Sequence, residues 1–121
     1  MIWLGFLILG FIGVSLRYII AGSLNVNALP WGTLLVNLFG CLAMGYVSEA
    51  GFLKNHLSPW MNQAIVVGLL GAFTTFSTYA FEVLRLLQTG QLLLGFVYVL
   101  TSTSLGILAV WWGQKIGSWP A

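Results

Sequence analysis

GLLGAFTTFSTYAFE, residues 68–82, decides how the chain is read. It lies inside a long apolar run, yet Thr74, Thr75, Ser77 and Thr78 crowd together there, with Gly68 and Gly71 ahead of them. Phe76 and Tyr79 stand three apart, on one side of a continuing helix. A lipid-facing helix has no use for this much hydrogen-bonding capacity, because hydrocarbon supplies no partner. A helix that opens locally around a polar cavity does. The stretch therefore predicts an interrupted membrane helix, and the rest of the chain is its frame.

That frame is apolar from end to end. Of 121 residues, 60% are hydrophobic and 5% charged, whereas a soluble domain carries about a quarter charged residues. The fold class expected is an all-α integral membrane protein, a single transmembrane domain over residues 1–121. Apolar stretches at 2–22, 32–52, 60–87 and 91–113 each approach or exceed the roughly 20 residues of a helical span. The third is expected to break near its middle, opening near Gly71. Turn-forming residues separate them: Asn25, Asn27 and Pro30, then Lys54 to Pro59, then Thr89-Gly90. Ser58-Pro59 reads as a cap with proline at the first helical position, and Gly90 suits a helix end. Connections this short force antiparallel neighbours. No Lys or Arg precedes the first apolar stretch and Arg17 interrupts it late, so it reads as an uncleaved span rather than a signal peptide. Glycines such as Gly13, Gly45 and Gly113 let helices approach closely in lipid. Trp3, Trp31, Trp60, Trp111, Trp112 and Trp119 mark the interfaces.

Several function classes fall away. The net charge of +2 comes from four scattered cations, so there is no basic patch for nucleic acid. One cysteine, Cys41, implies neither a disulfide framework nor a metal cluster. The lone histidine, His56, sits in a loop, and no nucleophile–base arrangement appears. A channel or carrier fits better than an enzyme. Positive charge sets orientation in membranes, and here it is balanced. Lys54 and Lys115 fall on one side of a four-span chain, and Arg17 and Arg85 lean to the other. The balance either makes the rule uninformative or reflects insertion both ways, which would allow a closed antiparallel dimer.

Polar groups at membrane depth are costly and call for an account. Asn37 has Thr33 one turn before it and Cys41 one turn after. Its amide suits an interhelical hydrogen bond or a place in a pore. Tyr98, Ser102 and Gly106 follow at four-residue spacing and form one face of the fourth span. Glu82 and Arg85, three apart, read as an ion pair at the interface. Arg17 either reaches the interface or lines a vestibule, where a cation concentrates anions. Hydroxyls, an amide and the positive edge of a ring suit a small, hard anion. Carbonyls freed where a helix opens suit a cation. Composition does not choose between these ligands.

GFIGVSLRY (10–18), GTLLVNLFG (32–40) and GLLGAFTTFSTYAFE (68–82) together resemble the three signature regions of the CrcB/Fluc fluoride-channel family, in order and spacing over essentially the whole chain. The third is long and specific; the glycine-only parts are weak. The resemblance implies an antiparallel, dual-topology homodimer in the inner membrane, with two passive pathways for fluoride. It implies a structural Na+ on the two-fold axis, held by the main-chain carbonyls of Gly71 and Thr74 of both copies. By position, Phe76 and Tyr79 would be the aromatic pair facing fluoride, with Ser77 and Thr78 beside them. Asn37 would donate a hydrogen bond in the pore. Tyr98 and Ser102 would line a polar track with Thr33 nearby, and Arg17 and Glu82 would sit toward the vestibules. The chain departs from the pattern twice. The second aromatic is most familiar as phenylalanine, and Tyr79 adds a hydroxyl. Gly106 stands where the track would continue with another hydroxyl. The alternative, a proton-coupled small multidrug carrier, needs a carboxylate deep in the membrane; the first span has none, and Glu49 and Glu82 lie near span ends. A third reading, a small assembly subunit without transport, has no residue of its own to argue for it.

Overall fold

The computed structural model describes residues 1–26 and 29–119; Asn27, expected to mark the first loop, lies outside them. The elements are α1 (Ile2–Leu24), α2 (Trp31–Glu49), the short α3 (Gly51–His56) and α4 (Pro59–Gln63). A wider-wound π segment (Ala64–Leu70) leads from α4 into a single turn, α5 (Gly71–Phe73). After two extended residues come α6 (Phe76–Gln88) and α7 (Leu92–Gly117). Among the described residues four helical stretches are long and apolar enough to cross a membrane: Ile2–Leu24, Trp31–Glu49, Pro59–Gln88 and Leu92–Gly117. Large apolar side chains cover the outside, Phe11 and Leu93 among them. Water would not tolerate so much continuous apolar surface; hydrocarbon does.

The span ends follow local chemistry. Pro59 opens α4 after an extended Ser58, whose hydroxyl makes no cap bond; its carbonyl instead accepts from the Asn62 N–H at 3.1 Å. Gly90 closes α6 at φ +79°. There the Gln91 N–H reaches the Leu86 carbonyl at 2.9 Å and the Gly90 N–H reaches that of Leu87 at 3.2 Å, a Schellman end that a residue with a side chain would strain. The second span is shorter than the sequence suggests. The backbone turns extended at Ala50, where it packs on Gly117 of α7, so Gly51 and Phe52 begin α3 instead. Lys54 then folds back onto Glu49 at 3.3 Å.

Small residues set the packing. A side chain at Gly113 would meet the Leu42 carbonyl and come within 2.8 Å of the Tyr46 nitrogen, so α7 lies backbone-to-backbone on α2. Gly13 seats α1 against Phe73 and Leu69 in the same way. On α6 the more buried residues are Tyr79, Glu82, Val83 and Leu86, a three–four spacing that turns one face inward. That face meets α2 and α7 in a cluster of Leu34, Leu86 and Tyr98. The third span thus serves two partners. Its first half leans on α1 and its second half on α7, which requires a change of direction between them.

Candidate functional site

The change of direction comes at Thr74 (φ −81°, ψ 157°) and Thr75 (φ −149°, ψ 118°), both extended. Gly71 is itself helical at φ −64°, ψ −36°, so the opening expected beside it lies three residues further on. The cause is a side chain from another span. Asn37 Oδ1 accepts the Thr75 N–H at 2.8 Å, and Asn37 Nδ2 donates to the Thr75 carbonyl at 3.1 Å. One amide thus replaces both helical bonds of one peptide residue. The hydroxyls finish the ends. Thr74 Oγ1 donates to the Leu70 carbonyl at 3.0 Å, and Thr75 Oγ1 caps α6 by accepting the Thr78 N–H at 3.2 Å. Gly40 makes room, since any side chain there would strike the Thr74 methyl.

Two carbonyls lose their usual donors in this arrangement. In an unbroken helix Gly71 O would receive the Thr75 N–H and Thr74 O the Thr78 N–H. Those N–H groups go to Asn37 and to the Thr75 hydroxyl instead. Gly71 and Thr74 therefore offer oxygens without a hydrogen-bond donor among the described residues.

Phe76, the first residue of α6, is 79% exposed. Its ring lies 5.8 Å from that of Tyr79, which stands edge-on to Tyr98 at 5.2 Å. The Phe76 and Tyr79 rings border an open groove of about 350 Å³ that also takes in Asn37, Cys41, Thr75 and Ser102. Ser102 Oγ is buried there with no hydrogen-bond partner. Behind the break a second hollow, about 430 Å³, is lined by Arg17, Asn25, Thr33, Thr75 and Thr78. Thr75 borders both, so the interruption is the wall between them. Ser77 is exposed, its hydroxyl 3.5 Å from that of Thr75.

Glu82 does not pair with Arg85. Among the described residues the one ion pair is Lys54–Glu49. The Glu82 carboxylate instead receives Thr33 Oγ1 at 2.6 Å, Tyr98 Oη at 2.9 Å and Asn25 Nδ2 at 3.2 Å. Three donors from three elements outweigh an exposed ion pair, which contributes about 0–1 kcal/mol. Arg85 instead borders a third hollow of about 170 Å³, shared with Glu82 and Asn25.

The family model described as "CrcB-like protein, Camphor Resistance (CrcB)" matches residues 4–114. The chain belongs to the CrcB-like family. Curated relatives of this CrcB-like chain include "Fluoride-specific ion channel FluC 2" of Staphylococcus haemolyticus, 44% identical over 114 residues and 92% of each chain. They also include proteins named "Fluoride-specific ion channel FluC" from Chlorobium phaeobacteroides and Geobacter sulfurreducens. The first is 35% identical over 88% of this chain and 85% of its own; the second is 36% identical over 88% of each. These relatives are named as channels, and the chain is a multi-pass membrane protein of the same length class. Asn25 is the site residue that sequence reasoning missed. It was legible only as a turn former, and its partner Glu82 lies 57 residues away.

Proposed function

We propose that the protein is a fluoride-selective channel that lets fluoride leave the cytoplasm passively across the inner membrane. The observation that carries this reading is the interrupted third span, whose polar atoms border two hollows, in a chain whose relatives are named fluoride channels. Arg17, lining the hollow behind the break, raises the local anion concentration. Threonine hydroxyls then replace part of the anion's water. The positive edges of Phe76 and Tyr79 face it next, and the unpartnered Ser102 hydroxyl has a donor to give. None of these groups is a fixed buried cation, so binding stays weak enough for release. Asn37 belongs to this scheme as the clasp of the break, since both ends of its amide are occupied by Thr75.

The working unit in this reading is an antiparallel homodimer of two copies inserted in opposite senses. The balanced placement of Lys54 and Lys115 against Arg17 and Arg85 supports it. Donor-free carbonyls at Gly71 and Thr74 fit a hard monovalent cation such as Na+, which prefers oxygen ligands. Two copies supply four such oxygens, and the ion supplies a positive charge that fixes the pair. Protein purified without sodium is then expected to lose dimer and flux together and regain both on adding sodium; flux and dimer unaffected by its removal would end that role. The small multidrug reading gains nothing from the structure, because Glu82 is held by three donors rather than left free to trade a proton for a cation. In cells stripped of their own fluoride export, expression is expected to restore growth on fluoride medium. Unchanged sensitivity with the protein present in the membrane would count against the proposal.

A further inference from the structure

Asn25 sits outside every motif quoted above, yet both ends of its amide are engaged. Oδ1 accepts the N–H groups of Gly32 at 2.7 Å and Thr33 at 3.2 Å, capping α2. Nδ2 donates to Thr33 Oγ1 at 3.1 Å and to Glu82 Oε1 at 3.2 Å. Those two oxygens are themselves 2.6 Å apart, so the Nδ2 group points at the pair of them together. Asn25 also borders both the hollow of Arg17 and the hollow of Arg85. It therefore stands between them, with one end fixed to a helix terminus and the other to a carboxylate.

The geometry points to Asn25 as a positioning residue for conduction: it pins the Glu82 carboxylate to the start of α2 and so holds the Thr33 hydroxyl at the edge of the Arg17 hollow, where the proposed pathway begins, and the Tyr98 hydroxyl behind the Tyr79 ring. The inference rests on the fluoride-channel reading for its consequence, but the contact itself does not. Glu82 Oε1 carries two of the three donors, from Asn25 and Thr33, while Oε2 takes Tyr98. Removing the Asn25 donor leaves Oε1 to Thr33 alone and frees the carboxylate to turn. A turned carboxylate takes both hydroxyls with it. The charged or titratable groups nearest it are Tyr98 on α7, with Tyr79 behind it, and Arg85 on α6; Arg17 and Tyr18 on α1 line the hollow that Asn25 and Thr33 share, and α2 brings the Thr33 hydroxyl.

The discriminating variant is Asn25→Asp. A carboxylate at this position still accepts from Gly32 and Thr33 and suits a helix N-terminus, so the cap survives. It loses both donors and places a negative charge against Glu82. The chain has two acidic side chains, so in a Glu49→Gln background with isotope-labelled glutamate, infrared spectroscopy reads Glu82 alone. Three results are expected for Asn25→Asp. The protein elutes as the parent does. The Glu82 carboxylate band moves, because a hydrogen bond to it is gone. Fluoride efflux from liposomes drops about tenfold, the effect of about 1.4 kcal/mol. A purely structural cap would leave the band and the efflux as in the parent. An unmoved band overturns the contact; a moved band with unchanged efflux overturns its role in conduction. If the parent itself passes no fluoride, the channel reading fails, and the band still decides whether Asn25 holds Glu82.

Discussion

Phe76→Ile is expected to reduce fluoride efflux to the leak of protein-free liposomes while the protein still purifies as the parent does. The two halves of this expectation have separate grounds. Phe76 is 79% exposed and lies outside the buried cluster of Leu34, Leu86 and Tyr98, so the fold within one copy does not depend on it. Isoleucine keeps apolar bulk but has no ring, and only a ring presents a positive edge to an anion. The ring also touches Tyr79, which touches Tyr98, so its loss removes the outer end of an aromatic row. Parental efflux from a well-folded Phe76→Ile protein would take Phe76 out of the pathway.

Asn37→Ala is expected to damage fold and flux together, and more severely in stability than Phe76→Ile. The substitution leaves the Thr75 N–H and carbonyl without the partners that Asn37 supplies at 2.8 and 3.1 Å. Each unsatisfied buried group costs about 1–3 kcal/mol. The break can relieve this by rewinding toward a continuous helix, in which Thr75 N–H returns to the Gly71 carbonyl. That would remove the Gly71 oxygen offered to a cation and swing Phe76 away from the groove. A fall in melting temperature with flux lost about tenfold or more is the result to look for, measured by thermal unfolding and efflux on one preparation. Unchanged stability would mean that something other than Asn37 holds the break open.

The four spans were legible because hydropathy acts over some 20 residues at a time and averages out local detail. Gly90 was legible because its backbone conformation is nearly its own signature. The break was legible in kind, from hydroxyls crowded between Thr74 and Thr78, but not in place. Its position depends on Asn37, 38 residues earlier in the chain, and no local pattern carries that pairing. The same holds for Glu82. Read locally, its neighbour at three residues is Arg85; in the fold its partners come from the first loop, α2 and α7. The turn at Ala50 is also a tertiary effect, set by Gly117 of α7 rather than by residues around it. Side chains joining distant segments define this site, and periodicity does not report them.

Efflux from liposomes holding the purified, unsubstituted protein, loaded with fluoride in one set and chloride in another, tests the central claim most directly. Rapid fluoride release with chloride retained is the predicted result. Chloride release at a comparable rate, or fluoride release no faster than from protein-free liposomes, would contradict it.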